Sequence, residues 1–150
     1  MAKQRVSITC LQEPMRVDRV KLREIVRTVL GGEGKMESEI SLVFVDNATI
    51  HRLNRRYLKH DEPTDVLTFP MSDPGSKKLV GELVIGVEVA WAEAANRGHD
   101  VQAELALYVI HGLLHLCGYD DRSRSAIRAM RERERHYLQA FWLPDITPER

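Results

Sequence analysis

The chain has only two cysteines, Cys10 and Cys117, among its 150 residues, too few and too scattered for a disulfide framework. It has no excess charge of either sign: 22 basic residues meet 22 acidic ones, for a formal net charge of zero. A global electrostatic pull toward nucleic acid is therefore absent, and any such binding has to come from local patches. No apolar run approaches the roughly 18–20 residues that span a bilayer, and the amino-terminal residues show no signal-peptide pattern. No internal repeat occurs. These absences lead us to expect a protein with no membrane partner, at home in a reducing cytoplasm. What remains is ordinary for a globular protein, 43% apolar and 29% charged residues. The length fits one domain, residues 1–150, with a substantial core.

One further absence is local. His111 and His115 sit four residues apart at the end of an apolar run, Leu105 to Ile110, that reads as a helix. Side chains at that spacing share a helix face with Cβ atoms roughly 5–6 Å apart, close enough for two imidazoles to meet one metal ion at about 2.0–2.1 Å. Gly118 is placed to end the helix in a left-handed cap, and Asp121 follows six residues after His115. The frame His-x-x-x-His-x-x-Gly-x-x-ligand is that of the long zinc motif of metzincin peptidases. In those enzymes the residue after the first histidine is the glutamate that serves as general base; here it is Gly112. The metal ligands are expected to be His111, His115 and Asp121, with Asp120 as a rival for the third position or a neighbour to it. Glu104, seven residues before His111, is a candidate to accept the free N–H of a ligating histidine, with a surface or capping role as the alternative. Gly112 is expected to leave room beside the metal for a bulky substrate.

The remaining elements frame this helix. Arg5–Cys10 alternates like a short strand, and Asp18 is placed to cap a helix carrying Leu22, Ile25, Val26, Val29 and Leu30 on one face, closed by Gly31-Gly32. Ile40–Val45 reads as a strand buried on both faces. Asp46 or Asn47 caps a helix running to about Leu58. Asp65–Phe69, bracketed by Pro63 and Pro70, and Leu79–Val87 read as strands. Glu88–Arg97 reads as a helix closed by Gly98, Asp100 caps the histidine helix, and Ser125–Phe141 is the last helix. The expected fold is mixed α/β: about four strands in one sheet, packed with about five helices, the histidine helix buried at the centre.

Two basic clusters stand out. Arg52, Arg55, Arg56 and Lys59 fall within residues 51–60, which contain no acid. They read as a solvated helix face or as a phosphate-contacting patch with Tyr57 or His60 beside it. Residues 122–135 hold six arginines against Glu132 and Glu134, the pattern of an exposed helix laced by i, i+4 pairs, with an excess of arginine available to RNA.

From about Ile40 to Glu134 the chain resembles the YbeY family of bacterial metal-dependent endoribonucleases. Two blocks carry the resemblance: Leu53-Asn54 with Pro63-Thr64-Asp65-Val66-Leu67-Thr68-Phe69-Pro70 and Gly81-Glu82-Leu83-Val84-Ile85, then His111-Gly112-Leu113-Leu114-His115-Leu116-Cys117-Gly118-Tyr119-Asp120 with Met130 behind it. The resemblance implies a mixed sheet with the site in a cleft at its edge, and His111 and His115 as zinc ligands. It implies cleavage of single-stranded RNA, a role in ribosomal RNA maturation at the 16S 3′ end and in ribosome quality control on the small subunit, and no action on DNA. Arg55, Arg56, Lys59 and His60 are the expected RNA contacts. The chain departs from the family twice. The family usually ends its motif Gly-Tyr-Asp-His, where this chain has Asp121, which shifts preference toward harder ions. It often carries an arginine where this chain has Leu58, so no catalytic side chain is assigned there and the attacking group is a water on the ion or a ribose hydroxyl. The competing expectations are a non-enzymatic, zinc-stabilised ribosome-assembly factor and a small metallopeptidase that draws its base from Glu82 or Glu104.

Overall fold

Apolar side chains alternate along Glu37–Val45 in a way that requires cover on two sides. Leu42 and Phe44 belong to the main core, whereas Val43 and Val45 belong to a second, smaller one. In the computed structural model, which describes residues 3–11, 17–58 and 66–147, this segment is β2 of a four-stranded sheet. Its companions are β1 (Lys3–Cys10), β3 (Val66–Pro70) and β4 (Lys78–Gly86). The order is β1-β2-β4-β3, with β1, β2 and β4 parallel and β3 antiparallel to β4 at one edge. The expected mixed sheet is therefore present.

Five α-helices accompany it among the described residues: α1 (Arg19–Gly32), α2 (Asn47–Leu53), α3 (Val87–Arg97), α4 (Val101–Leu116) and α5 (Arg124–Ala140). Their starts follow from side-chain caps. Asp18 accepts from the Lys21 N–H, Asp46 from Thr49, Asp100 from Gln102 and Ser123 from Ala126, each satisfying a backbone donor that has no partner inside the helix. Helix α1 buries Leu22, Ile25, Val26, Val29 and Leu30, its expected face, but runs through Gly31-Gly32 to a cap at Glu33. Helix α2 covers the second face of the sheet, packing Ile50 and Leu53 on Val45, Leu67 and Val84. From Asn54 to Leu58 it continues as a π-helical turn, so the first basic cluster lies on a segment wound more loosely than an α-helix.

Helix α4 is the hub, touching α1, α3, α5, β3 and β4. Eleven of its residues are buried. Its seat on β4 is set by two glycines. A Cβ on Gly112 would lie 2.8 Å from a methyl of Leu83, and one on Gly81 would lie 2.8 Å from a methyl of Leu116. Gly112 therefore faces the sheet and not the histidine face, which corrects the expectation that it opens space at the metal. The same geometry leaves no room for a peptidase glutamate at this position. Among the described residues no helix is long and apolar enough to cross a membrane.

Candidate metal centre

The exposed edge of α4 carries two imidazoles side by side. The rings of His111 and His115 have centroids 4.7 Å apart, edge to face at 79°, as residues one turn apart on a helix should be. The helix stops immediately after them. Cys117 caps it, Gly118 turns the chain at φ 108°, and the Gly118 and Tyr119 N–H groups donate to the His115 and Leu114 carbonyls. Only glycine adopts such a φ without strain, and the turn brings Asp120 and Asp121 back toward the histidines.

His115 is held in its neutral form. Burial is the main cause and the neighbouring His111 adds to it, so the His115 pKa falls below the ordinary histidine value despite Asp121, a hydrogen bond with the Tyr119 backbone, and Asp120, all of which act the other way. A neutral imidazole has the free lone pair that a metal ligand needs.

His111 is oriented from behind. Its Nδ1 lies 2.9 Å from Oε2 of Glu134, a fully buried carboxylate on α5. Arg131 donates to both oxygens of that carboxylate, at 2.7 and 3.1 Å. With Nδ1 engaged by the carboxylate, Nε2 is the ring nitrogen that remains for a ligand, the arrangement in which a carboxylate fixes a ligating histidine. Glu104, the candidate for this place by spacing, does not fill it. Glu104 is buried at the other end of α4, paired with His99 and Arg97, because the turn after α3 brings those two residues over it. Glu134 sits in an Arg-Glu-Arg-Glu run, which reads as solvent-exposed. The available signal was its register: Met130, Glu134, Tyr137 and Leu138 form the buried stripe of α5. Nor do the arginines of α5 pair as an i, i+4 lattice. Arg133 reaches Glu33 on another helix, Arg135 reaches Asp145, and Arg131 meets Glu134 at i, i+3.

The turn carrying the acids has its own anchor. Tyr119 donates to Glu33 at 2.8 Å, and Arg133 and Tyr137 donate to the other oxygen of the same carboxylate. Burial alone would raise the Glu33 pKa, but the hydrogen bonds from Tyr137, Arg133 and Tyr119 and the charge of Arg133 outweigh it and hold the carboxyl below the ordinary range. Burial and the Glu33 contact in turn push the Tyr137 hydroxyl up to about 12.

Asp120 accepts from the Arg122 N–H at 3.0 Å, and Asp121 is exposed. Among the described residues, no three His, Cys, Asp or Glu side chains converge as an ion would require. The structure brings the histidine pair together and leaves Asp121 exposed. The pair itself suits a divalent ion in its chemistry: two adjacent nitrogens, one from a neutral ring and one from a ring fixed by a buried carboxylate. Of the expected RNA contacts, Arg55 and Arg56 are exposed on the π-helical turn. Lys59 and His60 lie outside the described residues, as do Pro63 and Asp65.

Comparison with known proteins adds three findings. A family model described as Endoribonuclease YbeY matches residues 7–142. Proteins named Endoribonuclease YbeY from Carboxydothermus hydrogenoformans and Pelotomaculum thermopropionicum are each 40% identical to this chain, over 91% and 89% of it and 96% and 94% of their own lengths. The solution structure of TM1509 from Thermotoga maritima superposes with a TM-score of 0.67 at 26% identity, covering 91% of this chain and 89% of that one.

Proposed function

Because the chain belongs to the YbeY family of endoribonucleases, we propose that it cuts single-stranded RNA using a divalent ion, zinc in the first instance, held by His111, His115 and Asp121. The observation that carries the reading is the His111–His115 pair with Glu134 fixed behind it. An ion bound there supplies Lewis-acid polarisation of the scissile phosphodiester. The side chains do the rest. Glu134 and Arg131 keep the His111 ring in one orientation, burial keeps His115 neutral, and the Glu33–Tyr119 bond holds the turn that presents Asp120 and Asp121. Arg55 and Arg56, with Lys59 and His60 beyond them in sequence, neutralise phosphate charge as it builds.

The setting we assign is the cytoplasm, with ribosomal RNA as substrate at the 16S 3′ end and the small ribosomal subunit as partner, in maturation and quality control. The Gly112–Leu83 contact disfavours a peptidase.

The test is cleavage of an end-labelled single-stranded RNA before chelation, after chelation and after zinc is restored, with DNA of the same sequence in parallel. Loss and recovery on RNA with DNA untouched supports the proposal. Zinc-replete, folded protein that leaves RNA intact overturns it in favour of a zinc-stabilised assembly factor.

A further inference from the structure

Six arginines lie between residues 122 and 135, and the structure divides them in two. Arg131, Arg133 and Arg135 are each engaged by a carboxylate, Glu134, Glu33 and Asp145 respectively. Arg122, Arg124 and Arg128 are exposed, and among the described residues none of the three forms an ion pair. Arg124 and Arg128 lie in the amino-terminal part of α5, and Arg122 lies just before its Ser123 cap, next to Asp121. Arg124, Arg128 and Arg131 are spaced i, i+4, i+7 and so share one stripe of the helix. At its inner end Arg131 holds Glu134, which holds His111. Arg128 is six residues from Glu134, about 9 Å along the helix axis.

Folding does not account for this crowding. The first turn of α5 contains no acid, so Arg122 and Arg124 face the positive end of the helix dipole, where cations are unfavourable, and Arg124 and Arg128 repel one another at i, i+4. A partner that brings negative charge does account for it. Guanidinium groups match phosphate oxygens in a two-pronged geometry, and a chain of zero net charge must hold a polyanion through such a patch.

We propose that Arg122, Arg124 and Arg128 form a phosphate-binding stripe that holds single-stranded RNA against the His111–His115 pair from the α5 side. The stripe rests on the ribonuclease reading for its substrate, yet binding can be measured apart from cleavage.

The experiment is fluorescence anisotropy of a labelled single-stranded RNA across a potassium chloride series, with chelator present so that no cleavage occurs. It compares wild type, the triple variant Arg122→Gln/Arg124→Gln/Arg128→Gln, its Arg→Lys counterpart, and the control Arg23→Gln/Arg27→Gln/Lys77→Gln. Each is first checked for fold by circular dichroism. Three lost phosphate contacts should reduce the slope of log affinity against log salt by about 2 and weaken binding at low salt about tenfold or more. The lysine triple should keep the slope, and the control should keep both. With metal restored, the glutamine triple should show raised KM and near-unchanged kcat.

Wild type and glutamine triple with the same affinity and slope overturn the stripe, even if both cleave RNA. RNA binding that depends on the three arginines, without cleavage by wild type, upholds the stripe and overturns the nuclease. No binding by wild type overturns both.

Discussion

Nδ1 of His111 lies 2.9 Å from Oε2 of Glu134, and that carboxylate is wholly enclosed between α4 and α5. Glu134→Gln should keep the shape but weaken the acceptor that fixes the ring, lowering zinc affinity about 10–100-fold. Competition with a chromophoric chelator measures this. Glu134→Ala should do more, because it leaves Arg131 largely buried without its partner, a loss of about 3 kcal/mol in stability on chemical denaturation.

Asp121, the proposed third ligand, gives a second prediction. Asp121→His should raise affinity for zinc and its preference over manganese, because imidazole suits zinc better than a carboxylate does. Asp121→Ala should weaken zinc binding without a change in melting temperature, since the side chain is exposed. Calorimetric titration of the apoprotein with each metal distinguishes the two.

Gly112 supplies a structural test. Gly112→Ala should cost about 1–3 kcal/mol by overpacking against Leu83. Shortening the partner in Gly112→Ala/Leu83→Val should recover part of that cost, giving a coupling of about 0.5 kcal/mol or more in a double-mutant cycle. Gly112→Glu should unfold the domain and not create a peptidase.

How much of this was legible in the sequence depends on the distance between partners. Helix caps at Asp18, Asp46 and Asp100, the buried face of α1, and the His111–His115–Gly118 frame are written within a few residues, so periodicity and spacing expose them. The last helix, expected from Ser125, starts at Arg124 under a Ser123 cap. Glu134 and Glu33 act on residues 23 and 86 positions away, His111 and Tyr119, and local pattern carries no trace of such pairings. The same holds for Glu104: spacing puts it on the histidine face of α4, but the neighbours that claim it, His99 and Arg97, arrive through the fold. Gly112 pointed to an absent base, and only the packing of α4 on β4 shows which way it faces.

The Glu33 cluster makes stability depend on pH. The folded carboxyl has a lowered pKa, so the stability it adds is complete above the ordinary carboxylate range and is lost as pH falls through the lowered folded value. Glu33→Gln should melt lower than wild type at neutral pH, and the gap should narrow as pH falls below the ordinary carboxylate range toward the lowered folded value. Melting curves followed by circular dichroism across that range check both the sign and the window.

Chemistry at the histidine pair is the core of the proposed function, and His115→Ala removes half of that pair. Wild type and variant, purified identically and matched in circular dichroism, are given the same labelled single-stranded RNA. We predict cleavage by wild type and a loss of about a thousandfold or more in the variant, as expected when an ion that supplies several kcal/mol is no longer held. Equal cleavage by both proteins would contradict the account and place the activity elsewhere.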